Sequence, residues 1–408
     1  MSQENRNVKT PKYAFVILAV AYLTALASGV LLNKASPILP VIRDAFAVSL
    51  GKAGLLASTF SVAGLFLALP SGLIIQRLGL RAIGSTAMGF LVLGSILGAL
   101  SGSFGFLLFS RILEGMGYVV VGVAVTAAIA MWFPPGKIGA SMGIYATSLP
   151  IASAFTMSLA PVLEQSIGWR GVWWLSAGIC FAGLVLYWYF MRPAPAPEGA
   201  QGGVSALAEV AVSPEGPSPF KTVLKSSNMW IIAVVMVVFG MCVMSLTFMY
   251  PTYLNEALGM ELTKAGLISG VIGFVGLPMS PLGGWISDLI GSRKKVALVG
   301  LLFLLVITPI TVQASGALVW AVAVVLGTVS GLIPPVMMAA VSDALEDFES
   351  VPIGMGLCIM AVNFGMLVAT PVFGWMVDKV GWSNTGYIFT VFPLIAIVLL
   401  CMYKEKSR

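Results

Sequence analysis

The chain has 408 residues, 59% of them hydrophobic and 9% charged, with a net charge of +6 and no histidine; its mean hydropathy is +1.00. Soluble domains carry about 25% charged residues, and a water-soluble fold could not hide this much apolar surface. A soluble protein is excluded, imidazole chemistry is unavailable to the chain, and the positive balance reads as basic inner loops of a membrane protein rather than a nucleic-acid signal.

The N-terminus is polar, then basic at Lys9 and Lys12, then apolar from Tyr13. That run is too long for a signal-peptide core and ends in no small-residue cleavage site, so it reads as a retained first span. Apolar runs of ~20 residues, enough for a bilayer core of about 30 Å, recur along the whole chain. They are continuous rather than alternating, which excludes a transmembrane barrel. Twelve spans are predicted, at about 13–40, 51–75, 81–101, 104–133, 138–165, 169–191, 229–257, 263–290, 295–314, 317–345, 352–378 and 384–403. Pro37 and Pro40 in the first, Pro150 in the fifth and Pro334-Pro335 in the tenth predict local breaks.

Residues 193–228 differ in kind. Six prolines between Pro193 and Pro219 are mixed with Gly, Ala, Ser and Glu, the composition of a flexible cytoplasmic linker. It divides a six-span half at 1–192 from another at 229–408, and Phe220–Lys225 is predicted to form a short interfacial turn. With both termini in the cytoplasm, fifteen Lys and Arg fall on the inner side against six outside, which sets that orientation. The four cysteines lie in or beside apolar segments without metal-ligand spacing, and read as packing residues. No metal site, cofactor or catalytic residue is predicted.

Two loop segments repeat. Gly72, Gln76, Gly79 and Arg81 stand at the offsets of Gly284, Asp288, Gly291 and Arg293, a shift in numbering of 284 − 72 = 212. Gly168-Trp169 and Gly381-Trp382 repeat at a shift of 213. Six-span halves repeated in parallel are a transporter architecture. Gly72 and Gly284 are expected to let helices approach closely, and Gly79 and Gly291 to make tight turns.

Span count, central linker and both loop motifs resemble those of the major facilitator superfamily. The family's loop pattern, Gly-x3-Asp-Arg-x-Gly-x-Arg, keeps its acid here as Asp288 but has Gln76 in the first copy. A second family pattern, Arg-x3-Gly-x-Gly, is matched by Arg111, Gly115 and Gly117. The Gly-rich fifth-span motif of drug antiporters is not visible between Gly143 and Pro161. The resemblance implies an all-α fold of twelve transmembrane helices in two six-helix repeats. It also implies a latch between the halves at Gly72, Gln76, Arg77, Gly79, Arg81, Gly284, Asp288, Gly291 and Arg293. The plainer reading of these basic residues is anchoring at the inner surface. An amide bonds more weakly than a carboxylate, so the first copy is expected to be the looser.

Charges within a membrane cost about 2.5–3.5 kcal/mol each, so Lys34, Arg111 and Glu114 are the candidate site residues. Arg111 and Glu114, three apart, share a helix face. They form either a self-neutralising pair or a centre in which Glu114 takes a proton and Arg111 holds substrate. Lys34 either faces a central cavity or snorkels to the outer headgroups. Asn33, Tyr145, Tyr250 and Asn363 are further candidate substrate contacts, with Tyr22, Ser28, Thr147 and Tyr253 beside them. Each reads more readily as an interhelical bond or an interface aromatic. The favoured function is monomeric secondary transport of a small anion, coupled to protons, across the cytoplasmic membrane. Efflux of amphipathic or hydrophobic compounds is the alternative. A sensor that kept the fold is a third reading, and an enzyme is disfavoured because no histidine, phosphate-binding loop or metal cluster is present in the sequence.

Overall fold

The computed structural model describes residues 11–133, 135–192, 219–345, 350–403 and 405; the side chains of 68–78, 135, 136, 138, 139, 219 and 352 fall outside that description. The described residues are almost wholly helical, with no strand among them. Ten helical segments are long and apolar enough to cross a membrane. Two of these, Ala140–Phe190 and Ile353–Met402, run to 51 and 50 residues, about 75 Å if straight and far longer than a bilayer core. Each turns at a glycine whose backbone suits no other residue: Gly168 (φ 70°, ψ 168°) and Gly381 (φ 82°, ψ 169°). Divided there, the ten segments agree with the expected twelve spans. The near-identical dihedrals also show the repeat in the backbone itself.

Most boundaries fall within a few residues of expectation. Span 1 is Lys12–Asn33, continued by a 3-10 turn at Ser36–Ile38 and a helix at Leu39–Phe46. It runs past its predicted end because Pro40 sits in the first turn of the new helix, where its missing N–H costs nothing. Span 5 breaks at Thr147, between Pro135–Ala146 and the helix beginning at Ser148. Span 10 differs: Leu318–Ala344 is continuous through Pro334 and Pro335. Packing of Gly327 and Gly331 on the carbonyls of Ile272 and Gly276 in span 8 holds it across the two missing donors. Two π-helical stretches in span 7, Gly240–Met244 and Tyr253–Ala257, were not expected; the second follows Pro251, which removes a ladder donor. The predicted turn after the linker is a helix, Pro219–Lys225.

Close helix contacts fix the register of the repeat. A Cβ at Gly115 would lie 2.1 Å from the Phe60 carbonyl oxygen, and one at Gly327 2.6 Å from that of Ile272. The two pairs are related by the same shift as the loop motif (327 − 115 = 272 − 60 = 212). Spans 2 and 4 therefore pack as spans 8 and 10 do.

The halves meet at the side opposite the termini, called outer here after the Lys and Arg bias. A Cβ at Gly54 (span 2) would lie 2.8 Å from the Thr370 carbonyl oxygen (span 11), and one at Gly266 (span 8) 2.4 Å from that of Met157 (span 5). Asp378 accepts from the backbone N–H groups of Leu50 and Gly51 at 3.3 and 3.0 Å. At the repeat-related position, 378 − 213 = 165, Gln165 donates to Glu261 and Thr263 at the start of span 8. Arg43 and Glu256 form an ion pair at 2.5 Å that joins the outer ends of spans 1 and 7. Ser36 donates to the Phe248 carbonyl at 2.6 Å. One apolar core accordingly runs from the C-terminal half into residues 35–57 and 160–173 of the N-terminal half. The inner part of that half has a separate core around Ile17, Met88, Val125 and Tyr187.

Candidate functional site: a central cavity beside a buried ionic cluster

On the inner side of this seam lies a cavity of about 430 Å³ between the halves, its walls including Ser28, Tyr118, Thr126, Tyr145, Leu149 and Asn363. The first five come from spans 1, 4 and 5, and Asn363 from span 11. The bonds described for Asn363 and Thr126 are donations to carbonyls of their own helices, to Ile359 and to Gly122 and Val123. Those bonds leave acceptor capacity that a solute can meet. No charged side chain is among the described lining.

The three membrane charges come together just outward of the cavity. Lys34 Nζ lies 2.7 Å from Glu114 Oε1, and Arg111 Nη1 lies 2.6 Å from Glu114 Oε2; all three side chains are fully buried. Lys34 also donates to Ser95 Oγ at 2.7 Å and sits 4.5 Å from the Trp173 ring. Arg111 uses its remaining donors on the carbonyls of Leu31, Leu32 and Leu56. Those of Leu31 and Leu32 lie in the last turn of span 1's first helix, next to the break, where backbone acceptors lack a full set of donors. Glu114 stands ten residues into span 4, ~15 Å below its outer end. The cluster holds two cations and one anion, and every formal charge has a bonded partner, as burial demands.

The sequence readings of Lys34 need correcting. It reaches neither the cavity nor the outer headgroups, because span 1 continues beyond it to Phe46 and its side chain turns into its own half. Arg111 and Glu114 likewise line no part of the described cavity. Arg111 lies 4.4 Å over the Phe60 ring, and Phe60 lies 5.3 Å from the ring of Tyr118, a wall residue. One aromatic ring thus separates the cluster from the cavity. Asn33 donates to the Gly29 carbonyl and accepts from Ser153 at 3.3 Å, stitching span 1 to span 5. Tyr250 is buried with its hydroxyl on the Val319 carbonyl, so it is an interhelical strut in this conformation. Tyr145 and Asn363 do line the cavity. Tyr118 and Thr126 were missed, although Tyr118 follows Glu114 by four residues and so shares its helix face. Nothing in the sequence marks Ser95 and Trp173 as partners of Lys34, since they belong to spans 3 and 6, far from it along the chain.

The cluster has no counterpart in the other half. The repeat takes Lys34, Arg111 and Glu114 to Leu246, Ala323 and Leu326, all buried and apolar. At these positions the C-terminal half carries no charge.

The second copy of the loop motif lies within the described residues. Gly291 closes span 8 with φ 68°, as a turn glycine should. Arg293 pairs with Asp288 at 2.5 Å and with Asp343 of span 10 at 3.6 Å, and it donates to Ser287 and to the Gly284 carbonyl. These partners all belong to the C-terminal half. Gly284 does not make the expected close helix approach: no described atom comes within 4 Å of where its Cβ would stand. Gly283 makes that approach instead, 3.1 Å from the Leu332 carbonyl oxygen. In the first copy Gly79 has φ 79° and Arg81 lies 4.8 Å over the Trp188 ring. The side chains of Gln76 and Arg77, and the surroundings of Gly72, lie outside the described residues.

Comparison with known proteins agrees with this geometry. The family model of the Major Facilitator Superfamily matches residues 15–307 and 277–408. The chain belongs to that family; it is a multi-pass membrane protein of the solute-transporter type and not an enzyme. It is 23% identical to a hexuronate transporter of Bacillus subtilis over 381 residues, covering 88% of each chain. It is 22% identical to a probable sulfoacetate transporter of Cupriavidus necator, covering 94% of this chain and 91% of that one. Its fold superposes on a bacterial homolog of the human lysosomal transporter Spinster with a TM-score of 0.81 and 14% identity, over 97% of this chain and 98% of the other.

Proposed function

We propose that this protein carries a small organic anion across the cytoplasmic membrane by alternating access of its two halves, coupled to protons, with both termini inside and as a monomer. The observation that supports this most is the buried cluster of Lys34, Arg111 and Glu114, with its one surplus positive charge beside an otherwise uncharged cavity. At an effective dielectric near 20, a unit charge on the order of 10 Å away is worth ~1.7 kcal/mol, a preference on the order of tenfold for an anion over a neutral isostere. Two relatives named for anions, hexuronate and sulfoacetate, support the same substrate class. In this reading Tyr145 and Asn363 contact the solute directly. Lys34 and Arg111 act on it through their field in the outward-closed state, and Asn33 and Tyr250 hold the helices around it.

Glu114 is the coupling group. Both of its oxygens are occupied by cations here, so it accepts a proton only when the cluster separates, which ties protonation to the change of state. The test is uptake and counterflow of uronate and sulfonate anions in proteoliposomes. Lys34→Gln and Arg111→Gln, checked for monodispersity, should bind anions about tenfold more weakly by this Coulomb term. Glu114→Gln should keep exchange and lose accumulation driven by a pH gradient. Wild-type anion uptake in both cation variants would sink the assignment.

A second reading is favoured by the cavity wall itself, whose described residues carry no charge. On it, the protein exports an uncharged amphipathic compound. Resistance conferred on a pump-deficient strain, with no anion uptake in proteoliposomes, would select it.

A further inference from the structure

The two copies of the loop motif arrange their arginines in opposite ways. Arg293 is turned inward onto Asp288 and Asp343. Across the repeat Arg81 stands for Arg293, but Gln76 stands for Asp288 and Met131 for Asp343. The N-terminal half therefore has neither carboxylate with which to neutralise its arginine. Arg81 instead lies on Trp188, which is 55% exposed on the outside of the bundle.

Beside it, between spans 3 and 6, is a notch of about 560 Å³ walled by Ala82, Ser85, Leu184, Val185, Trp188 and Tyr189. Ser85 is only 6% exposed, and its hydroxyl, on this wall, has no hydrogen-bond partner in the described structure. The notch is wall-to-wall apolar apart from such hydroxyls, opens where lipid tails run, and has a guanidinium at the headgroup end. Arg81 is also the second residue of span 3, so the unpaired N–H groups at the start of that helix point to the same place. The repeat-related notch is closed. There Lys294 stands for Ala82 and Cys401 for Trp188 (82 + 212 and 188 + 213). Lys294 Nζ bridges that gap by donating to the carbonyls of Cys401 and Tyr403 at 2.6 and 2.8 Å, and Ala297 replaces Ser85.

We propose that the notch between spans 3 and 6 binds an anionic glycerophospholipid of the inner leaflet. Arg81 takes the phosphate, the acyl chains lie along Leu184 and Val185, and Ser85 donates to an ester oxygen. The lipid supplies the negative charge that Asp288 and Asp343 supply in the other half.

The test is native mass spectrometry of the full-length protein in detergent with equal phosphatidylglycerol and phosphatidylcholine. Wild type should retain phosphatidylglycerol preferentially, and Arg81→Gln should lose about fivefold of that preference, the effect of one arginine at an anionic surface. Lys137→Gln, which removes an exposed charge on span 5 that is not part of the notch lining, should keep it. Ser85→Leu, which fills the notch, should lower retention of both lipids. As an independent readout, brominated phosphatidylglycerol should quench tryptophan fluorescence more than brominated phosphatidylcholine, and the excess should vanish in Trp188→Phe. Equal retention of the two lipids, equal loss in Lys137→Gln, or full displacement by millimolar glycerol 3-phosphate would overturn the proposal, the last by showing a site for soluble phosphate.

Discussion

Replacing Glu114 with Gln keeps the shape of the buried cluster and removes its only negative charge. In the structure each cation lies within 2.7 Å of a Glu114 oxygen with no solvent at either side chain. At an effective dielectric near 20, each contact is worth ~6 kcal/mol of Coulomb attraction, most of it offset by the desolvation of the ions. Breaking a buried ion pair by removing one partner costs about 3–5 kcal/mol net. The two cations do not share that cost equally. Arg111 keeps three backbone carbonyls, whereas Lys34 keeps only Ser95 and the Trp173 face. Glu114→Gln should therefore lower the apparent melting temperature of the detergent-purified protein by roughly 5–10 °C. Adding Lys34→Met, which removes the stranded ammonium, should recover more than half of that loss; Arg111→Met in its place should recover less. A Glu114→Gln melting point within ~2 °C of wild type would refute the view that this carboxylate holds the cluster together. So would equal rescue by the two methionine variants.

Two further predictions concern the seam and the cavity. Gly54→Val and Gly266→Val each place side-chain atoms against a backbone carbonyl of the opposite half; each should open the outer end and raise labelling of a Ser58→Cys reporter by an outside thiol reagent, and unchanged labelling would count against the seam as the outer gate. Tyr145→Phe and Asn363→Ala should raise the KM for the transported anion about three- to tenfold, one neutral hydrogen bond each, while leaving the melting temperature near wild type.

The apolar spans and the repeat register were legible because each rests on composition or spacing, which membrane insertion enforces residue by residue. The glycine pair at 168 and 381 was visible as a repeat, and its shared left-handed backbone shows why glycine is needed there. The site was legible only in part. Lys34, Arg111 and Glu114 stand out because charge in an apolar helix is costly. Which way Lys34 turns, however, depends on span 1 restarting after Pro37 and on Ser95 and Trp173, two residues from other helices that carry no mark of their own. Tyr250 carried two readings for a related reason. A tyrosine hydroxyl in a membrane helix needs an acceptor, and the Val319 carbonyl supplies one as readily as a solute would.

The ion pair between Arg43 and Glu256 has a bearing on how such a chain came to be. By the shift of 212 that relates span 1 to span 7, Glu256 stands for Asp44 and Asn255 for Arg43. Two identical copies of the N-terminal half would each bring an arginine beside an aspartate to this end, enough for two such ties. Here one is kept, and Asn255 takes the place of the second arginine. Fusion into one chain lets each copy change separately, so the closed outer end rests on a single charged tie and parts more easily than a symmetric ancestor would.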